Sequence, residues 1–124
     1  MALRHAEAGE IVDLQPLGSR LGEARTAAIV KTESFEAARL IVRAGVEIAR
    51  HQVPGPITLH CLEGRVRLGL PASEPELAAG QWLYLEGVVP HSVTGIEDSA
   101  LLLTILFVAP DRPRADPDGS GGAG

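Results

Sequence analysis

The 124-residue chain has a single cysteine, Cys61. One thiol closes no intramolecular disulfide, and a lone thiol inside an apolar stretch fits a reducing compartment, so a cytoplasmic protein is expected. Aromatic side chains are also scarce: Phe35, Trp82, Tyr84 and Phe107 make up 3% of the chain, too few to stack successive bases. Excess basic charge is missing as well. With a formal net charge of −5 and acids and bases interspersed, no basic face is left for a phosphate backbone, which excludes a nucleic-acid partner. Long apolar runs are absent: residues 100–109 are interrupted by Thr104 and fall well short of the ~18 to 20 residues of a membrane span. The opening MALRHAEAGEIVDLQ has no continuous apolar region after its first basic residue, so no signal peptide is read there. No glycine-rich phosphate loop occurs, because the GSGG of the C-terminal tail lacks the flanking strand and helix.

What remains is a one-domain composition. A chain of this length buries roughly 60 to 70% of the surface its unfolded form exposes, and with few aromatics its core must be built from Leu, Val, Ile and Ala. Residues 1–9 read as a flexible N-terminus, with His5 a solvated surface residue, and residues 110–124 (PDRPRADPDGSGGAG) as a disordered Pro/Gly-rich tail. Between them the pattern is short and β-rich. Strands are expected at residues 11–14, 26–32, 57–62, 66–70, 77–79, 81–85 and 101–108, with a helical turn or loop at 19–25 and turns at 71–75 and 97–99. Residues 33–50 suit an amphipathic helix nearly as well as a strand. Gly45 argues against one long helix, since an interior glycine costs ~1 kcal/mol relative to alanine.

Two stretches organise the chain. In residues 45–64, GVEIARHQVPGPITLHCLEG, an apolar segment delivers His51, Pro54-Gly55-Pro56 turns the chain, and a second apolar segment ends at Glu63-Gly64. Residues 80–95, GQWLYLEGVVPHSVTG, repeat the plan, with a turn at Glu86-Gly87 and then Pro90-His91. Each histidine lies beside a Pro/Gly corner, so the two could meet across one fold.

These stretches resemble the two motifs of the cupin family. The first, G-x5-H-x-H-x3 or 4-E-x6-G, becomes Gly45, His51, Val53, Ile57 and Gly64; the second, G-x5-P-x-G-x2-H-x3-N, becomes Gly80, Glu86, Val88, His91 and Gly95. The first motif thus lacks its second histidine and its glutamate, and the second lacks its proline, inner glycine and asparagine. Over residues 10–108 the resemblance implies an all-β fold, a cupin-type double-stranded β-helix or jelly-roll barrel spanning 10–109, and makes residues 37–43 a strand. It also implies dimers. Residues 101–108 are apolar on both strand faces, which calls for an outer cover that a homodimer partner would supply.

In metal-binding cupins the four motif positions jointly hold Zn, Fe, Mn, Ni or Cu. A catalytic zinc takes three protein ligands, and the iron facial triad two histidines and a carboxylate; the resemblance supplies His51 and His91 alone. His60 is the candidate third ligand. Strand side chains alternate, so with Ile57 inward, Leu59 and Cys61 also face inward and His60 faces out, unless a bulge after Pro56 reverses the parity. Glu47 shares parity with His51 but lies ~13 Å away along a strand. Glu63 and Glu86 read as solvated turn residues. Cys61 is buried and lacks the electropositive, accessible setting of a reactive thiol. Ser92 points away from its neighbour His91, so the two make no nucleophile and base pair.

Three functions follow. The first is a binding module that holds a small organic ligand in a barrel pocket lined by His51, Val53, Ile57, Leu59, Cys61 and His91. The second is an enzyme: a divalent-metal-dependent oxygenase or isomerase using His51, His91 and a third ligand such as His60, or a metal-free epimerase working by histidine acid/base chemistry, which cupins also include. The third is a structural or accessory dimer with a vestigial pocket.

Overall fold

The structure is a computed structural model and describes residues 5–108. The expected tail, residues 110–124, lies outside the described residues. Nine strands follow a short 3-10 helix at Gly18–Glu23: Ala27–Lys31 (β1), Phe35–Val42 (β2), Glu47–His51 (β3), Ile57–Glu63 (β4), Arg65–Gly69 (β5), Glu76–Ala78 (β6), Trp82–Leu85 (β7), His91–Gly95 (β8) and Ser99–Leu106 (β9). They form two sheets, ordered β1-β2-β9-β4-β7 and β3-β8-β5-β6, with every named strand pair antiparallel. This is the all-β jelly-roll arrangement expected from the sequence.

Strict alternation builds the core. Along β4, Ile57, Leu59 and Cys61 are buried while Thr58 and His60 are half-exposed. Their partners on β9 are Ile105, Leu103 and Leu101, and the facing sheet contributes Val66, Leu68, Leu77 and Val93. Each such aliphatic side chain contributes about 1.5 to 3 kcal/mol when fully buried. The ambiguous segment at residues 33–50 holds β2 and most of β3 rather than a helix, because β2 pairs with β9 along its whole length, from Phe35 opposite Leu106 to Val42 opposite Ser99. That long-range ladder overrides any helical preference of its alanines.

Several expectations change. Residues 11–14 form no strand: Ile11 is 93% exposed, and the segment is held instead by the Arg39 guanidinium donating to the Asp13 carbonyl at 2.9 Å. Residues 91–95, absent from the expected strands, form β8, since Val93 and Gly95 face the core between strands on both sides. Glu63 is no solvated turn residue. Its carboxylate accepts from the amides of Leu17 at 2.8 Å and Gly18 at 2.9 Å, tying the N-terminal segment across the outside of the five-stranded sheet. The amide of Ala6 likewise donates to the Ile29 carbonyl at 2.8 Å. Ala100 on β9 is 2% exposed within the single chain, whereas Leu106 at the other end is 42% exposed.

Gly64 closes the tight β4–β5 turn with φ +87, and a Cβ there would stand 2.3 Å from the Asp98 carbonyl oxygen and 2.3 Å from Ser99 Oγ. Ser99 is fully buried and accepts the Arg65 amide at 2.9 Å, so it has little room to yield. Gly64→Ala is expected to cost more than the ~1 to 2 kcal/mol of the left-handed backbone alone and to lower Tm by about ten degrees or more. Gly45→Ala, at φ +81 with nothing within 4 Å of its Cβ, should cost only the backbone part. Thermal unfolding of both variants checks the difference.

Candidate functional site

The site begins with one register. β3 and β8 pair with Ile48 opposite Val93 and His51 opposite His91: three residues advance on β3 for two on β8, a bulge that puts one extra residue into β3. The bulge turns Ile48 and His51 to the same side, so the parity that linked Glu47 to His51 does not hold, and Glu47 is exposed. Across the pair the imidazole centroids of His51 and His91 stand 4.4 Å apart with their planes tilted by 58°. His91 is 4% exposed, whereas His51 lies at the rim, open to solvent.

The backbone sets the tautomer of both rings. His51 Nδ1 is 2.9 Å from the Ala49 carbonyl oxygen and His91 Nδ1 is 3.0 Å from the Val89 carbonyl oxygen. A carbonyl only accepts, so each ring carries its proton on Nδ1, and in the neutral ring Nε2 is an acceptor. No buried polar side-chain atom among the described residues lacks a partner. Neither Nε2 has a hydrogen-bond partner among the described residues, and the His51 ring stands exposed at the rim.

Behind the pair is a cavity of about 100 Å³ whose walls include His51, Val53, Ile57, Leu59 and His91. The structure thus brings together five of the six pocket residues expected from the sequence. Cys61, the sixth, also faces inward but lies one strand step deeper, its Sγ 3.5 Å from the Glu63 carbonyl oxygen, and does not line the cavity. Burial pushes its thiol pKa up, which keeps it protonated and unreactive. The remaining walls, Leu40, Ile48, Val93, Leu103 and Ile105, were not among the expected residues; they come from cross-strand neighbours that no local pattern announces. The β7–β8 loop is tied to one cavity wall: Val88 donates its amide to the Val53 carbonyl at 2.8 Å and adopts φ 58, a strained value for a β-branched residue.

The donor set does not fit a tightly held divalent metal. Val53 and Ile57 fill the two other motif positions with hydrocarbon. His60 is on the opposite face of β4, paired laterally with Trp82 and Leu102. Among the described residues no three His, Cys, Asp or Glu side chains gather as a ligand set, and two imidazoles fall short of the three protein ligands of a catalytic zinc or iron site. Added zinc or nickel should accordingly bind weakly, as read by calorimetry. His60→Ala should leave that binding unchanged, and His51→Ala or His91→Ala should remove it. Loss of tight metal binding on His60→Ala would overturn the assignment of faces on β4.

No helix among the described residues is long and apolar enough to cross a membrane. No family model matches the chain, and no curated protein does. Solved structures do. A conserved protein of unknown function from Streptococcus pyogenes matches at TM-score 0.66 and 19% identity, over 93% of this chain and 97% of that one. A cupin superfamily protein from Desulfitobacterium hafniense matches at TM-score 0.69 and 15% identity, over 83% of this chain and 100% of that one. An RmlC-like cupin protein from Desulfovibrio desulfuricans matches at TM-score 0.65 and 21% identity, over 78% and 97% of the two chains. With these likenesses and the two facing antiparallel sheets around a paired-histidine cavity, the chain has the fold of the small cupin proteins.

Proposed function

We propose that this chain is a binding module that holds a small organic ligand in the cavity behind His51 and His91. The observation that supports it most is the contrast inside the cavity: hydrocarbon walls from Ile48, Val53, Ile57, Leu59 and Val93, and two imidazoles as the polar groups. A concave apolar site with a few convergent polar atoms is the usual form of a small-molecule pocket. The ligand packs against the aliphatic walls and is oriented by a hydrogen bond to Nε2.

A second reading, metal-free acid–base catalysis at the same pair, is favoured by the tautomer. The backbone carbonyls that hold Nδ1–H leave Nε2 as a base facing a bound substrate. A steady-state turnover in the presence of chelator, lost on His91→Gln, would promote it over simple binding.

A second copy of the chain is the proposed partner, seated on the outer face of the five-stranded sheet where Trp82 is 57% and Tyr84 54% exposed. The cytoplasm is the proposed compartment, on the lone buried thiol Cys61.

The binding reading is tested by titrating small neutral fragments into isotope-labelled protein and following methyl resonances. Shifts should concentrate at Leu59, Val93 and Ile105, and His51→Ala, at the solvent-exposed rim, should weaken binding about five- to tenfold, the worth of one hydrogen bond. Shifts scattered over the surface, or none from any fragment, would contradict it.

A further inference from the structure

We infer that the ligand of this cavity is an unbranched aliphatic molecule with a terminal hydroxyl, its head at the histidine pair and its chain passing Val53 and Ile105 into a neighbouring cleft. This inference rests on the binding reading above. It starts from size. An apolar cavity of about 150 Å³ holds a benzene ring, so one of about 100 Å³ holds a hydroxyl and about three carbons. A larger ligand must leave the cavity on some side.

One side is prepared for it. A second hollow, of about 170 Å³, is lined by Val53, Pro54, Ile105, Phe107 and Val108. Val53 and Ile105 belong to both walls, so the two spaces adjoin at these side chains. The cleft ends in unusual apolar exposure, with Phe107 37% and Val108 59% exposed. A hydrocarbon chain leaving the cavity here would cover surface that otherwise faces water.

The head group follows from the lining and the tautomers. Neither space has a Lys, Arg, Asp or Glu in its walls, so a carboxylate or ammonium head meets no fixed counter-charge there. Nδ1 of each ring is occupied by a backbone carbonyl, and the neutral Nε2 accepts. An aldehyde or ketone, which only accepts, finds no donor there. A hydroxyl donates its hydrogen to Nε2 and needs no charge partner.

The test is a calorimetric titration of the full chain with 1-propanol, 1-hexanol, 1-octanol and octanoate, with the nitrogen resonances of His51 and His91 followed in parallel. Affinity should rise about threefold per methylene beyond propanol, octanoate should bind at least tenfold more weakly than octanol, and the alcohols should move an Nε2 resonance. Phe107→Glu, at a partly exposed position outside the core, should weaken octanol about tenfold and leave propanol unchanged. If octanol binds no tighter than propanol, the cleft is not used, and the extended ligand fails while the cavity reading stands. Octanoate matching octanol would overturn the hydroxyl head. A chain-length gain that emerges only after removal of residues 109–124 would overturn the inference too, because the chain itself would then fill the cleft. If no compound of any head group moves either histidine, the underlying binding reading falls with it.

Discussion

The register between β3 and β8 is the constraint on which the site depends. Because His51 stands opposite His91 with a bulge behind it, a rim histidine and a buried one share a face, and their rings lie 4.4 Å apart. Without the bulge, alternation would place Ile48 and His51 on opposite sides. The cavity would lose either its deepest β3 wall or its rim imidazole. The five-stranded sheet then supplies the opposite wall, since Ile57, Leu59, Leu103 and Ile105 pair in register across β4 and β9.

The chemistry of the site is set by what surrounds the two rings. Backbone carbonyls two residues upstream hold both Nδ1 atoms, a local bond that needs no help from other side chains. Hydrocarbon occupies the places where a third and fourth ligand would stand. The same jelly roll that suits a metal centre thus becomes, through Val53 and Ile57, an apolar chamber flanked by two imidazoles. Function here is carried by the side chains grafted on the fold rather than by the fold itself.

Much of this was legible in the sequence, for identifiable reasons. Alternation along residues 57–61 correctly placed Ile57 and Leu59 inside and His60 outside, because β4 is central and its β9 register slips only beyond Cys61. The spacing of Gly45, His51, Gly80 and His91 carried the fold. Non-local pairing was not legible. Nothing local marks the bulge between Ile48 and His51, so simple alternation puts His51 on the side of Glu47 rather than of Ile48. Leu40, Leu103 and Ile105 reach the cavity only through strand neighbours far away in the chain. Residues 11–14 have a strand-like composition yet take no place in either sheet, and Glu63, beside a turn glycine, holds an N-terminal segment some 46 residues distant.

The central claim is that both histidines flank the apolar cavity with Nδ1–H fixed by the backbone, so that in the neutral ring Nε2 is the acceptor. Long-range proton–nitrogen correlation spectra of the histidine rings near neutral pH, in protein prepared with chelator, test it most directly. The account expects His51 and His91 each to show a protonated Nδ1 and an unprotonated Nε2. A protonated Nε2 with a bare Nδ1 in either ring would contradict it.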